Sequence, residues 1–236
     1  MSDIPKRMKL ETKGDAIFFL HRMIYLAVKR MDRYKKLIRD IDFVISDNED
    51  KEYVDISIGD QLFERMESLN LFLCNLYADE TKNVISYVWF RKVLEQKICN
   101  NEIKLSNLDD ETIRIIETLK DRRNWSHHIS QTVVTSEVEF QKEQGVNESL
   151  VRSTQTNYEI NVWCHKYISI ELLKRMSSSC KIMYNQYKKV LQAMKKDYSA
   201  LVGKSVKISR KYHDIPKGME VVTVQDRSFE RNRRKR

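Results

Sequence analysis

The chain is short of the residues that interrupt helices: it has 5 Gly and 2 Pro in 236 residues. That scarcity argues against a turn-rich β architecture and for long helices with few tight connections. Cysteine is scarce as well. Cys74, Cys99, Cys164 and Cys180 form no Cys-x-x-Cys pair, and each sits in a helical or apolar context. A disulfide framework is therefore not expected, and reduced, buried thiols in a cytosolic protein are. No run of about 18 apolar residues exists, so no membrane span is expected. The first residues, Met1 to Lys6, lack the apolar core of a signal peptide, which makes the cytoplasm the expected compartment.

Charge is what the sequence has in quantity. Lys, Arg, Asp and Glu make up 33% of the residues, and the mean hydropathy is −0.58. The formal net charge is +9, unevenly placed. Residues 203–236 hold 11 Lys or Arg against 4 acids, whereas residues 1–202 hold 32 against 30. A basic tail of this kind suits a polyanion, usually nucleic acid, or serves only as a solvated end that aids solubility. Its candidate nucleic-acid contacts are Lys204, Lys207, Arg210, Lys211, Arg231, Arg233 and Arg234.

The apolar pattern predicts a mainly α protein. After a leader over residues 1–14, Ile17, Leu20, Ile24, Ala27, Met31, Tyr34, Ile38, Ile41 and Ile45 recur in steps of three and four. They mark one seam on a helix of about 30 residues, roughly 45 Å long. Residues 46–50 read as a solvated acidic turn. A second helix is predicted from about 60 to 77. A third is predicted over about 82–99, with Ile85, Trp89 and Val93 on one face and Val84, Val88 and Ile98 on the next. Ser106 to Glu111 has the cap residues and early acids of a helix start. The helix it opens carries Thr112, Ile115 and Leu119. Residues 131–165 change period and read as a β-hairpin-like insertion. The last long helix is predicted over about 168–201, with a second nine-position seam from Leu173 to Leu201 and Gly203 as its stop. Ser205 to Lys211 and Met219 to Val224 fit two short strands around a turn, ahead of a disordered basic end. The domain plan is thus a leader over 1–14, a helical bundle over 15–202 that contains the insertion, and a basic extension over 203–236. Two such long seams exceed what a small bundle needs internally, which favours a two-fold homodimer with residues 108–128 near the axis.

The fourth helix ends on the richest run of acid–base groups in the chain, Arg122-Arg123-Asn124-Trp125-Ser126-His127-His128. Arg-x-x-x-x-His occurs there twice, from Arg122 to His127 and from Arg123 to His128. Only the second has Asn directly after the Arg, a combination expected by chance roughly 0.02 times in such a chain. An imidazole that titrates near neutrality can serve as a general base or acid. A guanidinium can clamp a phosphate and stabilise charge that builds on it. Together they suit attack of an RNA 2′-hydroxyl on the adjacent phosphorus, with a 2′,3′-cyclic phosphate as product and no metal required. Positions five apart on a helix lie about 140° apart, so either the helix ends or bends within the motif or the working pair comes from two chains. Plainer roles are open too: phosphate positioning for Arg122 and Arg123, or helix-end histidines favoured by the dipole. Adjacent His127 and His128, even with His165, make a poor zinc set without a Cys or carboxylate frame. Trp125 reads as core, with base stacking as the other role. His21 and His213 have no partner visible in the sequence.

A four- to five-helix bundle that carries Arg-Asn-x-x-x-His resembles the HEPN superfamily, with the similarity covering about residues 15–201. The resemblance implies a metal-independent endoribonuclease in a defence or toxin–antitoxin setting, without cofactor, active as a homodimer. It assigns catalysis to Arg123 and His128 and an orienting role to Asn124, with Arg122 and His127 as secondary candidates. It also implies RNA as substrate and an antitoxin or defence-system partner. Many family members are silent, so a catalytically inactive RNA-binding or partner-binding module is the alternative. The apolar seams should hold the bundle without help from Arg123 or His128, so loss of either side chain is expected to spare the fold.

Overall fold

The computed structural model describes residues 10–81, 85–97, 105–127 and 166–210. Among them run α1 (Lys13–Asp47), β1 (Tyr53–Asp55), α2 (Ile56–Ala78), α3 (Tyr87–Lys97), α4 (Asp110–His127), β2 (Tyr167–Ser169) and α5 (Ile170–Val202). The protein is mainly helical with one small antiparallel sheet. One compact unit spans residues 1–205 and a second begins at Val206. Among the described residues no helix is long and apolar enough to cross a membrane. The insertion over 131–165 and the chain beyond 210 lie outside the described residues.

The longest helix starts on a capping box. The Thr12 hydroxyl accepts the Asp15 N–H at 3.1 Å, and the Asp15 carboxylate accepts the Thr12 N–H at 2.9 Å. Two of the four free N–H groups at the helix start are thereby satisfied. From there α1 runs for 35 residues. Its seam is core: Leu20, Ala27, Met31, Tyr34, Ile38 and Ile41 are buried, joined by Ala16, Met23 and Leu37. The second seam, on α5, is core as well, from Leu173 through Cys180, Tyr187 and Met194 to Leu201. These two helices make the most extensive helix pair in the bundle. They run antiparallel, because His21 meets Tyr198 with ring centres 5.9 Å apart while Asp42 meets Ser177 and Lys181 at the other end. His21 thus has an aromatic neighbour that the sequence did not reveal.

This pairing changes the argument for a dimer. The excess of apolar seam over what one bundle needs was the reason to expect a second copy. Among the described residues the seams cover one another within a single chain, so their length is no longer by itself a reason for a second copy.

Helix α2 closes the core from a third side. Tyr77 donates to the Met31 sulfur at 3.6 Å, and Tyr187 donates to Asn70 at 2.8 Å with the Cys74 thiol 3.7 Å away. Tyr34 and Tyr77 flank the Tyr187 ring at 5.6 and 5.9 Å. Burial raises the pKa of Cys74 and of Cys180, which makes both poor nucleophiles. Both thiols are free and buried, as composition suggested; Cys99 and Cys164 lie outside the described residues.

Strands β1 and β2 were not anticipated. Each has only three residues, pairing Tyr53 with Ser169, Val54 with Ile168 and Asp55 with Tyr167. Each runs straight into a helix whose first turn it caps. Asp55 accepts the Ser57 N–H, and Ser169 accepts the Leu172 N–H. The sheet therefore clasps the starts of α2 and α5 together, although more than a hundred residues separate them.

Other expectations need correction. Helix α3 begins at Tyr87, not 82, because Ser86 turns its hydroxyl to the Trp89 N–H at 3.1 Å and caps it there. The face it buries is Tyr87, Phe90, Arg91 and Leu94, whereas Ile85 is exposed. Arg91 is inside because it donates to Asp197 at 2.9 Å and to the Ser106 carbonyl at 2.7 Å, and Tyr87 donates to the same carboxylate at 2.7 Å. Burial pushes the Asp197 carboxyl up, against the pull of Tyr87 and Arg91. Gly203 ends α5 in the left-handed region at φ 73°, as its position suggested. Residues 205–210 form no strand, contrary to the alternation seen there; the remainder of that proposed pair lies outside the described residues.

The tightest approach in the clasp gives a test. A Cβ on Gly59 would lie 2.8 Å from Ile168 Cδ1 and 3.1 Å from its Cγ2. Alanine gains about 1 kcal/mol of helix propensity over glycine, but overpacking costs about 1–3 kcal/mol. We expect Gly59→Ala to lower stability in urea titrations, and to become neutral or stabilising once Ile168→Val has removed the nearer methyl.

Candidate active site

Helix α4 opens where the sequence pattern placed it. Asp109 accepts the Thr112 N–H at 2.8 Å, with Asp110 and Glu111 in the first turn. Thr112, Ile115, Ile116 and Leu119 are buried, which sets the helix against the bundle and fixes what its far end meets. What it meets is the end of α2. Lys120 pairs with Glu80 at 2.8 Å on the surface. One turn later the Arg123 guanidinium reaches Asp79, with Nη2 3.1 Å from Oδ2.

Asp79 joins three helices at this point. Its backbone N–H caps α2 by bonding to the Asn75 carbonyl. Its Oδ1 accepts the Thr81 N–H at 2.8 Å, which turns the chain out of α2. Its carbonyl accepts the Ser86 hydroxyl at the start of α3. Its Oδ2 holds Arg123 of α4. The carboxylate is buried, with its side chain 4% exposed, and the Arg123 side chain is 18% exposed. An ion pair so deep is kept only because each charge has its partner; either one alone would be stranded.

Arg123 is held from a second side. Its Nη1 donates to the Asn124 amide oxygen at 3.1 Å. Asn124 thus lies against the guanidinium as a hydrogen-bond acceptor. The Nε–H of Arg123 is buried and has no hydrogen-bond partner among the described residues. Most buried polar groups are satisfied, and an unmet donor in a motif residue marks a place where a ligand acceptor would be welcome.

The motif is brought together only in part. Arg122 is exposed and bears on different groups from Arg123: its charge opposes the upward shift that burial imposes on Tyr34, Cys74 and Tyr187. The two arginines thus have separate surroundings. The helical backbone continues without a break through His127, so α4 does not end between Arg123 and His127. The side chains of Trp125 and His127, and all of His128, lie outside the described residues. Of the tail candidates, Lys204, Lys207 and Arg210 are described and exposed, whereas Lys211, Arg231, Arg233 and Arg234 are not described.

Sequence reasoning missed Asp79 and Glu80, taking Asp79-Glu80-Thr81 only as a helix breaker. An acidic pair directly after an apolar helix was the available signal. It also wrongly expected Arg123 to be removable without damage to the fold. Arg123→Ala strands a buried carboxylate, and we expect it to cost about 3 kcal/mol. The Asp79→Ala, Arg123→Ala pair should cost less than the two single changes added together, with a coupling of about 1–3 kcal/mol in a double-mutant cycle of urea unfolding.

Comparison of the chain with protein-family models, with curated proteins and with solved structures found no match.

Proposed function

We propose that the protein is a metal-independent endoribonuclease of the HEPN type, acting at Arg123, Asn124 and His128. The observation that carries this reading is the state of Arg123, a guanidinium held from two sides by Asp79 and Asn124 with one N–H that has no partner among the described residues. A phosphate bound there would meet donors already oriented, so little reorganisation is needed as charge builds on the phosphoryl oxygens. His128 follows five residues on and supplies the titrating imidazole, as base for the 2′-hydroxyl or acid for the leaving 5′-oxygen. The product is a 2′,3′-cyclic phosphate. A homodimer, in which the two motifs face each other across α4, and an antitoxin or defence-system partner belong to the same proposal and rest on the resemblance alone.

The second reading is a silent RNA-binding or partner-binding module. It is favoured by the depth of the Asp79–Arg123 pair, since a guanidinium committed to a buried carboxylate also serves as a structural brace.

Cleavage of labelled RNA in excess EDTA separates the two. We expect wild-type cleavage and a loss of about a hundredfold or more in His128→Ala. Arg123→Lys keeps a charge for Asp79 but lacks the guanidinium fork, so it should fold and still be largely inactive. His127→Ala should matter less than His128→Ala; the reverse order would move the site to the Arg122–His127 register. A wild type that binds RNA yet never cuts it would leave the silent module.

The basic tail is assigned to substrate affinity. Removal of residues 227–236 should weaken RNA binding and flatten its dependence on salt, with the helical circular dichroism unchanged. An unchanged salt slope would leave the tail as a solubility device.

A further inference from the structure

The outward face of α1 is strongly basic, and neither the apolar seam nor the motif accounts for it. Between Arg22 and Arg39 the helix carries seven Lys or Arg and a single acid, Asp32. Arg22, Lys29, Arg33 and Lys36 fall within a narrow arc of the helix, opposite the buried seam, and span about 21 Å along it. All four are exposed and none forms a salt bridge among the described residues. Aromatic rings share the arc. Phe18, Tyr25 and Phe43 are 65%, 43% and 66% exposed. Arg22 and Lys29 both lie 5.1 Å from the Tyr25 ring centre, so that ring holds two of the cations in line.

A groove borders this stripe where α1 meets α2. It has a volume of about 460 Å³ and is lined by Arg30, Arg33 and Lys36 from α1 and by Glu64, Arg65 and Ser68 from α2. Arg65 is paired with Asp40 at 2.7 Å, whereas the Arg30 guanidinium carbon lies over the Phe72 ring, 4.1 Å from its centre. Partial burial and the nearby charge of Arg33 both work against the Arg30 cation. Like charges crowded beside a groove, with one carboxylate among them, are relieved by a bound anion.

We propose that the outer stripe of α1 and the groove beside it form a track for single-stranded nucleic acid. The alternation of cations with exposed rings is the combination such strands need: cations follow the phosphates, and rings offer faces to unstacked bases. A duplex has its bases stacked and would leave those rings unused. An anionic membrane fits less well, because a surface-lying helix inserts a continuous apolar face, and the apolar face of α1 is spent on the core. That the strand is RNA rests on the ribonuclease reading; the track itself does not.

The test is binding of a labelled oligouridine RNA to the full chain in EDTA across a series of salt concentrations. Replacement of Arg22, Lys29, Arg33 and Lys36 by Ala should lower affinity at least tenfold near 0.1 M salt. It should also reduce the slope of log affinity against log salt by about 2.8, which is about 0.7 per single-strand contact. Tyr25→Ala should weaken binding on its own. A control that loses four charges elsewhere (Lys92, Lys174, Lys188 and Lys195 to Ala) should shift the slope much less, and both sets should melt with the wild type. Equal effects from the two sets would overturn the track in favour of general charge. Tighter binding to a blunt RNA duplex would overturn it, as would vesicles containing phosphatidylserine whose binding needs the stripe while RNA binding does not. The two proposals fail separately. Stripe-dependent binding without cleavage leaves the track and removes the ribonuclease. Cleavage of a short oligonucleotide with stripe-independent binding does the reverse.

Discussion

Everything else in this bundle rests on one packing interaction, the burial of the α1 seam against the α5 seam. Each helix presents an apolar side chain every three or four residues over nearly thirty residues, and antiparallel contact removes both rows from water together. At about 1.5–3 kcal/mol for each fully buried large side chain, this is the dominant favourable contribution. It also decides which surfaces are left. The opposite side of α1 must face solvent, and α2, α3 and α4 must close the remaining open side of the pair.

On that frame the polar interior is concentrated at two points, each an arginine paired with an aspartate. Arg91 with Asp197 ties α3 to α5, and Arg123 with Asp79 ties α4 to α2. Neither pair is a bargain in stability, since desolvation of both charges offsets most of their attraction. What they supply is registration: a helix shifted by one turn would strand two charges. The two differ in completeness. Arg91 reaches a carboxylate and a backbone carbonyl, while the Arg123 Nε–H has no partner among the described residues and sits within a run of residues able to do acid–base chemistry. That difference is why the second pair, and not the first, is read as a site.

The charge distribution looks different once the fold is in hand. Summed over residues 1–202, the balance is nearly neutral, so the tail alone seemed basic. The sum hid a local excess between Arg22 and Arg39, because the acids that cancel it lie at the ends of α1 and elsewhere in the chain. Helical periodicity then places four of those cations with three exposed rings on one side of one helix. Electrostatic recognition depends on this local arrangement, not on the total.

What the sequence determined by itself was the set of elements whose signal is periodic. Both nine-position seams, the acidic opening of α4 and the stop at Gly203 were readable because a helix repeats its apolar step whatever it packs against. The motif residues were readable too, as a pattern, and the contact between Arg123 and Asn124 joins neighbours in the chain. Tertiary structure alone decided the rest. The face of α3 turned on a buried arginine whose partner lies 106 residues away. The three-residue strands at 53–55 and 167–169 are too short to show a period and exist only because they find each other. The seams could have met within one chain or across two, and periodicity is blind to that choice. Asp79 looked like a helix breaker until α4 brought Arg123 to it, because the value of a buried charge is set by its partner in space and not by its neighbours in sequence.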